Sequence, residues 1–84
     1  MIRPEQLVTM IKGELPDAEV QVSDLTGGGD HYQATVISEA FAGKTLIQQH
    51  QMVYKAVNPV MANNSLHALA LKTFTPDRWA TQSP

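Results

Sequence analysis

Apolar and polar residues repeat along the chain with two different periods, and these periods predict its helices and strands. From Pro4 to Leu15 apolar residues recur every three or four positions, which is typical of an amphipathic helix that starts at a proline and ends before Pro16. Apolar and polar residues alternate from Ala18 to Thr26 and from His31 to Ser38, as in strands with one buried face. Because only Gly27–Asp30 separates them, the two strands should form an antiparallel hairpin.

The middle of the chain predicts a connector and a long helix. Glu39–Lys44 is the connector, with Phe41 placed at the edge of the core. The helix should run from about Thr45, which can act as its N-cap, to Val57. Pro59 is expected to break or kink it before a short further turn. The predicted apolar face of this helix consists of Leu46, Ile47, His50, Val53, Tyr54 and Val57.

The last strongly apolar segment, Leu66–Thr73, predicts a third strand. Both of its faces are largely apolar, which is typical of a strand in the middle of a covered sheet. The connection that precedes it is long enough for a crossover, so this strand should lie parallel to one strand of the hairpin. Thr75 and Pro76 then begin a final short helix, and we expect Trp79 to dock that helix on the core.

The element order is therefore α-β-β-α-(α)-β-α, which predicts an α+β fold with a three-stranded mixed sheet. The 84 residues allow one hydrophobic core, and we expect a single domain over residues 1–84 with its core at about 4–80. No segment is long and apolar enough to span a membrane, and the first residues lack the pattern of a signal peptide. We therefore expect a cytoplasmic protein.

Composition restricts the chemistry that the chain can perform. It contains no cysteine, which excludes disulfides, a thiol nucleophile and a metal site built on its own thiolates. The net charge of −2 argues mildly against nucleic-acid binding, which usually needs a basic face. Gly27–Gly29 lacks the lysine and the spacing of a phosphate-binding loop and leads into a strand, so we interpret it as a hairpin loop.

The histidines are the candidate functional residues. A single histidine near the start of a strand, such as His67, is typical of a hydrogen-bonded structural residue and less often of a metal ligand. His50 lies in phase with Leu46 and Val53, which favours a packed, hydrogen-bonded structural role. No nucleophile–base pair or convergent acid–base set is visible, so the sequence does not predict an enzyme.

Three ordered segments resemble the BolA family. They are Phe41-Ala42-Gly43-Lys44, then Gln49-His50-Gln51-Met52-Val53-Tyr54, then Leu66-His67-Ala68-Leu69 with Lys72-Thr73, Thr75-Pro76 and Trp79. The resemblance extends from Leu7 to Ala80. It is strongest to short, cysteine-free members of the IbaG type, in which a histidine–aromatic pair opens the second strand as His31-Tyr32 does here.

The resemblance implies a fold like the class II KH domain and a heterodimer with a monothiol glutaredoxin. In such pairs a [2Fe–2S] cluster is shared with the glutaredoxin and its bound glutathione. The isolated chain is expected to hold no cluster and to be a monomer or weak homodimer. The resemblance implies that His67 is one metal ligand. It implies His31, beside the glycine-rich loop, as a second and more adaptable ligand, which Asp30 or a water could replace. Lys44, Lys72 and Thr73 are candidate partner-binding residues. The alternative interpretation of the two lysines is that they are solvated surface charges.

A second function class stays open, because some BolA relatives are transcription regulators. KH domains that bind nucleic acids hold the backbone with a Gly-x-x-Gly loop, whereas this chain has Gly43-Lys44-Thr45-Leu46. Many relatives also carry basic residues beside the helical histidine, where this chain has Gln49 and Gln51. A nucleic-acid-binding regulator is therefore the weaker alternative to a glutaredoxin-binding iron–sulfur adaptor.

Overall fold

The computed structural model describes residues 3–25, 27, 31–62 and 68–82. Three α-helices, three strands and one short 3₁₀ helix lie within these ranges. They are α1 (Pro4–Glu14), β1 (Glu19–Asp24), β2 (His31–Ile37), the 3₁₀ helix (Glu39–Phe41), α2 (Leu46–Ala62), β3 (Ala68–Phe74) and α3 (Pro76–Gln82). The predicted order of the three strands and of α1, α2 and α3 is confirmed, but the short helix predicted in brackets after α2 is not a separate element. No helix in the described ranges is long and apolar enough to cross a membrane.

The three strands form one mixed sheet in the order β1-β2-β3. β1 and β2 are antiparallel, with Val22 opposite Ala34, as predicted for a hairpin. β2 and β3 are parallel, with His31 opposite Ala68, which confirms the predicted crossover through α2. Gly27, in the loop after β1, has a φ of +78°, a conformation that glycine adopts without strain. The rest of the predicted loop, 28–30, lies outside the described residues.

Helices α1 and α2 cover one face of the sheet. Its buried side chains are those of alternate residues along β2, namely Tyr32, Ala34 and Val36. The helices contribute Leu7, Ile11, Val53 and Val57, and Phe41 closes the end of the core, as its position in the connector predicted. Much of the other face of the sheet is open, since Gln21, Ser23, Ala70 and Lys72 are exposed.

The prediction that the third strand lies in the middle of a covered sheet is wrong. β3 is an edge strand, and only Leu69, Leu71 and Thr73 face the helices. On its opposite side Ala70 and Lys72 are exposed, and only Phe74, at the end of the strand, has an aromatic neighbour, Trp79. The start of the predicted strand, Leu66 and His67, lies outside the described residues.

The sequence predicts that Pro59 breaks or kinks the long helix. A break is incorrect, because α2 continues through Pro59 to Ala62. A proline removes one backbone hydrogen bond, here to the carbonyl of the exposed residue Lys55, which water can reach. Val60 and Met61 pack against the core and hold the last turn in place.

The apolar face predicted for α2 is only partly correct. Val53 and Val57 are buried, whereas Leu46, Ile47 and Tyr54 are 61%, 71% and 37% exposed. Three of the six residues predicted for this face are thus exposed, so helical periodicity alone overestimates the buried surface. Thr45 caps the first turn of α2 as predicted. Its Oγ1 accepts a hydrogen bond of 3.2 Å from the backbone N–H of Gln48, and Gln48 Oε1 accepts one of 2.9 Å from the backbone N–H of Thr45.

α3 packs on the face of the sheet opposite α1 and α2. The Trp79 ring lies against that of Phe74, with 5.2 Å between ring centroids and 55° between planes. Thr75 begins the helix as predicted: its Oγ1 accepts from the N–H of Arg78 at 3.3 Å. Trp79 thus docks α3 at the end of β3, on the side away from the main core.

Candidate functional sites

The first candidate site lies where β2 begins. His31 is the first residue of this central strand, is partly buried, and has Ala68 as its register partner on β3. Its carbonyl accepts a hydrogen bond of 2.8 Å from the N–H of Leu25, next to β1. Strands on both sides therefore fix the His31 backbone, so His31 belongs to the sheet and not to the adaptable loop that precedes it.

The second predicted ligand, His67, lies outside the described residues. In the sequence it directly precedes Ala68, the residue opposite His31. The strand that follows is well anchored, because Leu69 is buried opposite Tyr32 and its carbonyl accepts a hydrogen bond of 3.2 Å from Tyr54 Oη. The assignment of His67 and His31 as a ligand pair remains a prediction.

The described residues at this end of the sheet offer few donor groups for a metal. Within the described ranges no group of three or more histidine, cysteine, aspartate or glutamate residues could hold a metal ion. A complete metal site is thus not built from those residues. His31 is partly accessible from the surface, as a ligand that completes a site on another protein has to be, and imidazole is an established ligand of iron in [2Fe–2S] centres. One imidazole in this position fits a shared site.

The third histidine, His50, matches only part of its predicted role. It is half-buried on α2, but its Nε2 is buried with no hydrogen-bond partner in the described part of the chain. Buried polar nitrogens are nearly always hydrogen-bonded, and the cost of leaving one unpaired is about 1–3 kcal/mol. The predicted packing of His50 is therefore found, whereas the predicted hydrogen bond is not found for this nitrogen within the described residues.

The second candidate site is a cleft of about 460 Å³ between the start of α2, the end of β3 and α3. All three predicted partner-binding residues, Lys44, Lys72 and Thr73, line it. They meet because the crossover helix runs back across the sheet, so the first turn of α2 lies beside the last residues of β3. Gln49, His50, Thr75 and Arg78 also line the cleft, and the sequence predicted none of them as a partner-binding residue.

Gln49 holds the walls of the cleft together. Its Oε1 accepts a hydrogen bond of 2.6 Å from Thr73 Oγ1 on β3. Its Nε2 donates to the carbonyls of Lys44, at 3.0 Å, and Phe41, at 3.4 Å. A single amide thus joins the connector, α2 and β3. The sequence alone predicts no role for Gln49. The residue stands out only because many BolA relatives have a basic residue at this position.

A second polar link fixes the end of β2. Asp17, in the turn after α1, accepts hydrogen bonds of 2.8 Å from Ser38 Oγ and from the N–H of Glu39. These two hydrogen bonds, that of Ser38 first, lower the pKa of the Asp17 carboxyl below its usual value of 3.8, and outweigh the opposite effect of desolvation. Ser38 is almost fully buried, so this contact anchors the connector that leads to the cleft.

This combination of fold and sites defines a small α+β domain with a histidine at the head of its central strand and a cationic cleft at the far end of the sheet. Residues 9–78 match the family model described as BolA-like protein. The chain belongs to this family. The predicted family is therefore confirmed, and the match spans both candidate sites.

Relatives from bacteria place the chain within this family. It is 32% identical over 75 residues to the acid stress protein IbaG of Escherichia coli K12, covering 89% of this chain and 86% of IbaG. It is 37% identical over 57 residues to a protein of Haemophilus influenzae named DNA-binding transcriptional regulator BolA, covering 68% and 54% of the two chains. These names describe a stress protein and a regulator, and neither denotes an enzyme.

A solved structure confirms the fold. The structure of a BolA protein homologue from Coxiella burnetii matches with a TM-score of 0.81 and 31% sequence identity, covering 95% of this chain and 99% of the homologue. The three-stranded mixed sheet and its helices are thus an arrangement that an experimentally determined relative shares.

Proposed function

We propose that this protein is a non-enzymatic cytoplasmic adaptor that binds a monothiol glutaredoxin and shares a [2Fe–2S] cluster with it. It would act in iron–sulfur cluster trafficking or assembly, or in iron sensing. The observation that supports this most is the position of His31: it heads the central strand opposite Ala68, the residue that follows His67 in the sequence. The strand register thus aligns one candidate ligand with the neighbour of the other.

The absence of cysteine determines how the ligands divide between the partners. This chain can offer imidazoles but no thiolate, so the thiolates would come from the glutaredoxin and from glutathione. Replacing thiolates by imidazoles on one iron lowers the negative charge of a cluster and raises its reduction potential. Imidazole can also be protonated off a metal, which makes such a site sensitive to pH and comparatively easy to empty. A role in transfer or sensing requires a cluster that can leave.

The decisive experiment is to mix the protein with a monothiol glutaredoxin, glutathione, iron and sulfide under anaerobic conditions. We expect a heterodimer on size-exclusion chromatography, with a visible absorption spectrum different from that of the glutaredoxin homodimer. The isolated chain should elute as a monomer or weak homodimer without a cluster. Separate elution of the two proteins, with an unchanged glutaredoxin spectrum, would refute the proposal.

Substitution of the two ligands tests the assignment of residues. His67→Ala should abolish the heterodimer spectrum with little loss of fold, and His31→Ala should weaken it less. Gln33→Ala is the matched control, because Gln33 lies two residues after His31 on the same face of β2 and is also partly buried. If His67→Ala keeps the spectrum of the unmodified heterodimer, the central ligand is wrongly assigned.

A second candidate function, a nucleic-acid-binding regulator, is supported by one relative and one surface feature. The Haemophilus influenzae relative is named as a DNA-binding regulator, and three cationic side chains line the cleft. We nevertheless infer only weak, steeply salt-dependent DNA binding, because the net charge is −2. Tight, sequence-selective binding at physiological salt in a mobility-shift titration would favour the regulator instead.

A further inference from the structure

The cleft between α2, β3 and α3 concentrates positive charge in an acidic protein. Lys44, Lys72 and Arg78 line it, and these are three of the six lysine and arginine residues in the chain. No carboxylate is among its described lining residues, and within the same ranges none of the three cations has an ion-pair partner. A negatively charged group in the cleft would therefore meet cations that the described fold itself does not neutralise.

The cleft walls are fixed before any ligand arrives. The Gln49 side chain joins Thr73 of β3 to the carbonyl of Lys44, so strand, helix and connector cannot separate without breaking these hydrogen bonds. Leu46, the first residue of the 17-residue helix α2, also lines the cleft, which places the positive end of the helix dipole there. Both features reduce the reorganisation that binding an anion would require.

The cleft also has an apolar side. Leu46 is 61% exposed, and Leu71 and Phe74 line the wall beside it. The volume of about 460 Å³ falls within the range of small-molecule sites, roughly 300–1,000 Å³, and exceeds what a bare inorganic ion needs. The expected ligand is therefore an anion that carries an organic group.

We propose that this cleft binds a small phosphate ester, with the phosphate held by Lys44, Lys72 and Arg78 and its organic part packed on Leu46 and Leu71. A phosphate monoester is close to a dianion at pH 7, which suits a group of three cations. The site is separate from His31: β3 extends about 17 Å between Ala68, opposite His31, and Thr73 in the cleft. The proposal does not depend on a bound cluster or on a glutaredoxin.

The test is an NMR titration of the full chain with adenosine 5′-monophosphate at constant ionic strength, with inorganic phosphate and sodium chloride as parallel probes. We expect saturable shifts of the backbone amides of Gln49, Thr73, Thr75 and Arg78, with adenosine monophosphate tighter than phosphate. Lys72→Gln and Arg78→Gln should each weaken binding by about tenfold, since each removes a charge-assisted hydrogen bond. Lys12→Gln, which removes an exposed charge on α1 outside the cleft, is the matched control and should leave the affinity unchanged.

The same variants separate the alternatives. Equal weakening by Lys12→Gln would show diffuse attraction to surface charge and overturn the proposal. Sodium chloride giving the same shifts as adenosine monophosphate would overturn it as well. If a single-stranded oligonucleotide binds and loses affinity in Lys72→Gln and Arg78→Gln, while neither phosphate probe saturates, the cleft is a nucleic-acid surface and not a small-molecule site. Amide spectra of all variants before titration show that each is folded.

Discussion

Thr73 Oγ1 donates a hydrogen bond of 2.6 Å to Oε1 of Gln49, and this contact joins the edge strand to the helix that crosses over it. The two residues are 24 positions apart in the chain. Thr73 is only 9% exposed, so little water is available to replace its partner. The contact therefore stabilises the fold and also sets the distance between the two walls of the cationic cleft.

Thr73→Val should lower the free energy of unfolding by about 1–2 kcal/mol, because the change keeps the shape of the side chain but leaves Gln49 Oε1 without its donor. Urea denaturation followed by circular dichroism measures the difference. Thr35→Val is the matched control, since Thr35 is partly buried on the open face of β2 and should change stability by no more than about 0.5 kcal/mol. Equal effects of the two substitutions would show that the Thr73–Gln49 contact adds no net stability.

Asp17 predicts a specific dependence of stability on pH. Its hydrogen bonds from Ser38 and Glu39 lower its pKa in the folded protein below 3.8. The stabilisation is therefore fully present above pH 3.8 and is lost as the pH falls through the folded pKa. Asp17→Asn should lower the free energy of unfolding at pH 7 by about 1 kcal/mol, at the low end for charged hydrogen bonds because Asp17 is exposed to solvent.

The measurement is the unfolding free energy of both proteins between pH 7 and pH 2. The difference between them should shrink below pH 3.8. Glu19→Gln, which removes an exposed carboxylate on β1 outside this network, controls for the loss of one negative charge. A difference that stays constant down to pH 2 would mean that the Asp17 carboxylate is not the source of the stabilisation.

Local patterns predicted the elements but not the surroundings of each one. The alternation in β3 is ambiguous because alanine, at Ala68 and Ala70, is compatible with either a covered or an open face. Whether that strand lies at an edge depends on strand order, which no local pattern contains. The same limit explains α2, where periodicity correctly selects Val53 and Val57 but cannot show that Leu46 is left uncovered by the other elements.

The candidate sites show a similar division. The position of His31 at the start of a strand followed from alternation, whereas its alignment with Ala68 depends on the register of two strands distant in sequence. Lys44 and Lys72 meet only because of the crossover. The contact between Asp17 and Ser38 joins residues 21 positions apart through a turn, and serine and aspartate at such positions have no distinguishing pattern.

Pro59→Ala should stabilise the protein by about 1–2 kcal/mol. The substitution restores a backbone hydrogen bond inside α2 and relieves the proline ring, although it also increases the conformational freedom of the unfolded chain. Asn58→Ala, at the neighbouring exposed position, should gain only the difference in helix propensity, below about 0.7 kcal/mol. Thermal denaturation compares the two variants. A loss of stability in Pro59→Ala would indicate that the chain needs the proline to end its helix correctly.

The proposed cluster site predicts the effect of exchanging one ligand type for another. In the heterodimer with a glutaredoxin, His31→Cys should give a cluster with a more negative reduction potential, because a thiolate brings a negative charge that imidazole lacks. Spectroelectrochemical titration measures the potential. Gln33→Cys places a thiol on the same face of the same strand, two residues further along, and should leave the potential unchanged. If both cysteine variants shift the potential equally, the thiol acts through general surroundings and His31 is not a ligand. If only His31→Cys shifts it, the second ligand is located at the first residue of the central strand.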